Sequence, residues 1–77
     1  MSKNEIMDEA KAAGIAIGKQ VRSQWGNGWK HITPMMRQNA IARAVIADVM
    51  SAPGPVDPAI VRVVYDSACV AAGTEGV

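Results

Sequence analysis

The sequence contains no phenylalanine, one tyrosine and two tryptophans, so any core built from it is filled by Ala, Val, Ile and Met. Those side chains are small, and a short chain packed from them has a thin interior that favours self-association. Cysteine occurs once, at Cys69, which excludes an internal disulfide. In the apolar run YDSACVAAG a free thiol behaves as a small hydrophobe, and a reducing compartment suits it. No run reaches the roughly 18 uninterrupted apolar residues of a membrane span, and MSKNEIMDEA lacks the basic-then-apolar order of a signal peptide. The expectation is a soluble, cytoplasmic protein.

Catalytic equipment is equally sparse. His31 is the single histidine, preceded by Lys30 and without a Ser, Cys or carboxylate at a spacing that would make a nucleophile and base or a metal site. Asp48, Asp57 and Asp66 are scattered; Asp57 suits a helix cap, and Asp66 lies four residues after Arg62, the spacing of a surface ion pair. The stretch AAGIAIGK resembles a phosphate-binding loop only superficially. Three residues, not four, separate Gly14 from Gly18, Lys19 is followed by Gln20, and no strand precedes. Ala10, Gly14 and Gly18 instead form a small-residue stripe on one side of a helix, which permits close helix packing. Nothing in the sequence points to an enzyme, a cofactor, a metal or a small-molecule substrate.

What is present is organised for helices. With 77 residues there is room for one domain, 1–77. Helices are expected over about 3–24, 34–51 and 58–72, with a linker at 52–57. Ser2 and Glu5 make a capping box for the first, and Ile6, Ala10, Ala13, Ile17, Val21 and Trp25 recur along one buried stripe, with Ile15 off it. SQWGNGWKHIT breaks that helix; an Asn-Gly hairpin facing Trp25 with Trp29 is conceivable, but a helix-to-helix loop stapled by one tryptophan fits its neighbours better. Thr33-Pro34 and Asp57-Pro58 are cap-plus-proline starts. The second helix carries Met35, Ile41, Ala42, Val45, Ile46 and Val49 on its best apolar stripe, with Met36, Ala40, Ala47 and Met50 on the other side beside Arg43. APGPVDP forbids continuous helix. IVRVVY has the β-branched content of a strand, yet caps at both ends, with Gly73 as the stop, favour helix; the tail TEGV is expected to fray.

Net charge is only +1, but it is unevenly placed. Between Glu9 and Asp48 there is no acidic residue, while Lys11, Lys19, Arg22, Lys30, Arg37 and Arg43 all fall in that interval. The expected fold is therefore all-α, a compact three-helix domain forming a homodimer through the Ala10, Gly14 and Gly18 stripe or the Met36, Ala40, Ala47 and Met50 side of the second helix. The expected function is a non-catalytic interaction module, an accessory, adaptor or inhibitor of a larger complex. It holds a protein partner, acidic in character, through Trp25 and Trp29 with Lys19, Arg22, Lys30, Arg37 and Arg43. The alternative is a small nucleic-acid-binding regulator using the same basic patch. A helix-turn-helix is a poor comparison, because the loop is about eight residues rather than three or four.

Overall fold

The proline, glycine and cap signals divide the chain where they should. The computed structural model describes residues 3–73, and among them every regular element is helical: α1 (Lys3–Trp25), a 3-10 segment (Gly26–His31), α2 (Pro34–Ser51) and α3 (Pro58–Ala71). IVRVVY is helical, as its caps favoured, and the helix-to-helix connection at the tryptophans is coiled as 3-10 helix; the alternative hairpin and strand are absent among the described residues. The Ser2 cap and the TEGV tail lie outside the described residues.

Each boundary has a physical cause. Gly26 at φ +56° ends α1 in a left-handed conformation that a side chain resists. At the start of α2 the Thr33 hydroxyl accepts a hydrogen bond from the Met36 N–H at 3.2 Å, with Pro34 in the first turn. Ala52 is extended ahead of Pro53, which stops the helix. The Asp57 carboxylate accepts from the Ala59 N–H at 2.9 Å to open α3, and Gly73 at φ +74° closes it, its N–H reaching the Val70 carbonyl at 3.1 Å.

Roughly 34 Å of α1 spans most of the molecule's 41 Å length, so the other two helices are laid along it. Gly14 faces Val64 and Gly18 faces Ala68, which makes α1 and α3 parallel. Trp25 lies beside Met36 and Ala40, and Val21 beside Ala44, which makes α2 antiparallel to α1. The interior is Ala10, Val21, Trp29, Ile41, Val45, Val64, Ala68, Cys69 and Ala72, and Trp29 is the one large side chain among them.

The expected apolar stripes of the first two helices hold only in part. Ala10 and Val21 are buried and Ile17 packs against them, but Trp25, in the last turn of α1, is 43% exposed. On α2, Ile41 and Val45 are buried, whereas Met35 and Ile46 stand 71% and 57% exposed. Two helices cover only one side of α2, so residues rotated toward its outer side have no neighbour to pack on. The Ala10, Gly14 and Gly18 stripe is covered by α3 of the same chain, and its close packing is spent inside the protomer rather than against a second copy.

Burial also decides the chemistry of Cys69. Desolvation pushes its thiol up from the ordinary value; a hydrogen bond with Tyr65 acts in the opposite sense, and nearby Asp66 raises it further. Desolvation first, then the same hydrogen bond, pushes Tyr65 up as well. A raised folded value means folding favours the protonated form. The associated stability is complete below the ordinary thiol range and is lost as pH climbs through the raised values. Thermal stability is expected to stay level from about pH 6 to about pH 8 and to decline above the ordinary thiol value of about 8.5. Melting curves across that range check it: Cys69→Ala with Tyr65→Phe should flatten the alkaline decline, and an unchanged slope would assign it elsewhere.

Candidate interaction surface

Seven residues were expected to converge on a partner: Lys19, Arg22, Trp25, Trp29, Lys30, Arg37 and Arg43. The fold brings together only some of them. Trp29 is 5% exposed, and its indole N–H donates to the Ala72 carbonyl at 3.0 Å. That carbonyl is one of the C-terminal acceptors of α3 with no helical donor, so Trp29 caps a helix from inside the core. It is corrected from a partner anchor to a structural staple.

Arg37 is likewise drawn inward. Its Nε donates to the Trp29 carbonyl at 2.9 Å, and a terminal nitrogen of the same guanidinium donates to the Lys30 carbonyl at 3.3 Å. The planar donor fork closes the end of the 3-10 segment, and the charge is half-buried rather than offered to a ligand. The sequence signal for this was the seven-residue spacing from Lys30 across a Gly-rich break, which is legible only once the loop is known to coil back.

Lys19, Arg22, Lys30 and Arg43 are exposed, and none has an ion-pair partner among the described residues. They do not make one patch. The Arg22 guanidinium lies beside Gly73 at the C-terminal end of α3, where a cation suits the helix dipole. Arg43 is on α2, and there it joins Trp25, Met36, Asn39 and Ala40 around a shallow depression of about 250 Å³.

That depression is one end of a longer apolar face. At 100° per residue, Met35, Asn39, Arg43, Ile46 and Met50 fall within a narrow stripe on the outside of α2, flanked by Met36 and Ala47. Met50 is 74% exposed and Met36 about half. From Met35 to Met50 the stripe runs roughly 22 Å, with Arg43 near its middle and Asn39 as the one other polar side chain. Expecting Met35 and Ile46 in the core missed this face, since periodicity does not reveal which side of an apolar helix has neighbours.

His31 is exposed in the 3-10 segment, and Cys69 faces the core. Among the described residues no three His, Cys, Asp or Glu side chains converge as a metal-ligand set, and no helix is long and apolar enough to cross a membrane. The exposed Arg62–Asp66 pair, at 3.3 Å, is the expected surface ion pair and contributes little.

No known protein family, curated protein or solved structure matches the chain.

Proposed function

We propose that the chain is a small, non-catalytic interaction module whose outer α2 face, with Trp25 at its edge, docks an amphipathic helix of a protein partner. The observation that carries this reading is the row of unpartnered large side chains around an unpaired arginine. Met35, Met36, Ile46 and Met50 are all exposed, and Arg43 sits among them. Methionines adapt to irregular contours, and tryptophan with arginine often supplies most of an interface's energy. A helix laid along a 22 Å stripe presents anchors three and four residues apart, and a carboxylate at its centre would meet Arg43 in partly desolvated surroundings. An accessory, adaptor or inhibitory role in a cytoplasmic complex follows from a module that acts by contact, and the free Cys69 thiol is compatible with that compartment.

A homodimer through Met36, Ala40, Ala47 and Met50 is the second form this surface supports. A two-fold axis midway between Met36 and Met50 would set Arg43 against its own copy, a like-charge contact with a cost. A hetero-partner supplying a carboxylate removes that cost, and is preferred for that reason.

The test places a photo-crosslinking residue at Ile46, identifies the captured partner, and then measures affinity with purified components. Ile46→Lys and Met50→Lys should each reduce affinity at least tenfold while leaving the melting temperature within the small range of exposed substitutions. Trp25→Ala should cost about 2 kcal/mol, near thirtyfold. Retained affinity in all three variants would remove the α2 face as the site. Sedimentation and a salt titration against duplex and single-stranded nucleic acid run alongside. A dimer lost in Met50→Lys would assign the face to a second copy, and steeply salt-dependent nucleic-acid binding lost in Arg43→Ala would assign it to phosphates.

A further inference from the structure

A second surface, on different residues, differs from the first in the sign of its charge. Ile6, Ala10 and Ala13 of α1, Val49 near the end of α2, the linker 52–57, and Ile60, Val61 and Val64 of α3 enclose an open groove of about 300 Å³. Its charged lining residues are Glu9, Asp48 and Asp57, with no Lys, Arg or His among them. Asp57 is engaged in capping α3, but the carboxylates of Glu9 and Asp48 have no hydrogen-bond or ion-pair partner among the described residues.

The linker adds a third property. Residues 53–56 make no backbone hydrogen bond within the described chain, and Val56 is half-exposed at the groove's rim. Pro53 and Pro55 carry no N–H, so the linker's unpaired donors are the Gly54 and Val56 N–H groups, beside the unpaired carbonyls of 53–56. Extended segments dock by pairing backbone groups along such an edge while a side chain enters an adjoining pocket.

We infer that this groove binds an extended, basic peptide segment of a partner protein. The groove is short and open, and one aliphatic residue of the segment enters between Ile6, Val49, Val56 and Ile60. Lysine or arginine residues on either side of it meet Glu9 and Asp48, and the peptide backbone runs along residues 53–56. Cationic flanks are required because both free charges on the lining are negative, and an acidic or uncharged segment would leave them unpaired.

The experiment uses the full chain and three fluorescent heptapeptides, GRRLRRG, GRRGRRG and GEELEEG, followed by anisotropy. Weak binding of GRRLRRG, at least fivefold tighter than GRRGRRG, with none of GEELEEG, is the expected result. The double variant Glu9→Gln with Asp48→Asn, both at exposed positions, should weaken GRRLRRG about tenfold without changing the melting temperature. The amide resonances of residues 54 and 56 should move on titration while those of Met35, Ile46 and Met50 stay fixed. Equal affinity for GRRLRRG and GRRGRRG, or indifference to the double variant, overturns the inference. So does concentration-dependent self-association abolished by the double variant, which would make a second copy the occupant. None of the altered residues belongs to the outer α2 face, so failure here leaves that face's test unaffected.

Discussion

Gly18→Ala is expected to lower the unfolding free energy by about 2 to 3 kcal/mol, against the ordinary rule that alanine strengthens a helix by about 1 kcal/mol over glycine. The sign reverses because of what the new methyl group meets. A Cβ on Gly18 would overlap the Ala68 carbonyl oxygen and come within 3.0 Å of the Ala68 Cα; on Gly14 it would overlap the Val64 carbonyl oxygen and approach the Ser67 Cβ at 2.7 Å. The obstructing groups are mostly backbone, with no rotamer to yield, so α3 must move away from α1 along their shared length. That displacement loosens Ala10, Val64 and Ala68, all nearly inaccessible to solvent. A chain of this size has roughly 4 to 11 kcal/mol of stability in total, and the double variant Gly14→Ala with Gly18→Ala should be largely unfolded at room temperature. Urea denaturation followed by circular dichroism reads the effect, with exposed Ala12→Gly as the control that should lose about 1 kcal/mol from propensity alone. A stabilised Gly18→Ala protein would show that α1 and α3 are not in contact along this stripe.

The same stripe shows how far local pattern reaches. That Ala10, Gly14 and Gly18 permit close approach follows from their size and spacing; that the approaching helix is α3, and not another protomer, depends on chain path. Caps were legible for a similar reason, since Thr33-Pro34 and Asp57-Pro58 act within one turn and need no tertiary contact to form. The candidate site was legible in residue types but not in placement. Both tryptophans and the five candidate cations fall between residues 19 and 43, yet the 3-10 segment turns Trp29 into the core and leaves Trp25 at the surface. It also presents the Trp29 and Lys30 carbonyls to Arg37, which takes one cation out of the solvent-facing set. On α2 the helix is apolar over most of its circumference, so periodicity alone could not separate the Ile41 and Val45 side from the Met35, Ile46 and Met50 side. The acidic groove was hidden more completely: Glu9 is far in sequence from Asp48 and Asp57, and the antiparallel return of α2 brings it to their rim.

Trp29→Ala should be the most damaging single substitution, at about 3 to 5 kcal/mol for the lost packing, because Trp29 is the one aromatic side chain among the buried core residues. Trp29→Phe separates packing from hydrogen bonding. It keeps much of the ring volume but removes the indole N–H, leaving the buried Ala72 carbonyl without a donor at about 1 to 3 kcal/mol. Arg37→Leu should act through the neighbouring contacts, freeing the Trp29 and Lys30 carbonyls that its guanidinium now holds, with a cost nearer 1 kcal/mol because those groups are partly reachable by water. Fluorescence provides an independent reading of the same geometry. The Trp29→Phe protein should emit from half-exposed Trp25 alone, shifted to the red and readily quenched by iodide, whereas Trp25→Phe should emit blue and resist quenching. Unfolding by Trp29→Ala with retained folding in Trp29→Phe would identify ring volume as the dominant contribution. Comparable losses in the two would shift the weight to the carbonyl, and the end of α3 would then depend on a single indole hydrogen bond to stay closed against the loop. Indifference to both would mean that the 3-10 segment does not pin α3, and that the exposed position of Trp25 is not held by its neighbour four residues away.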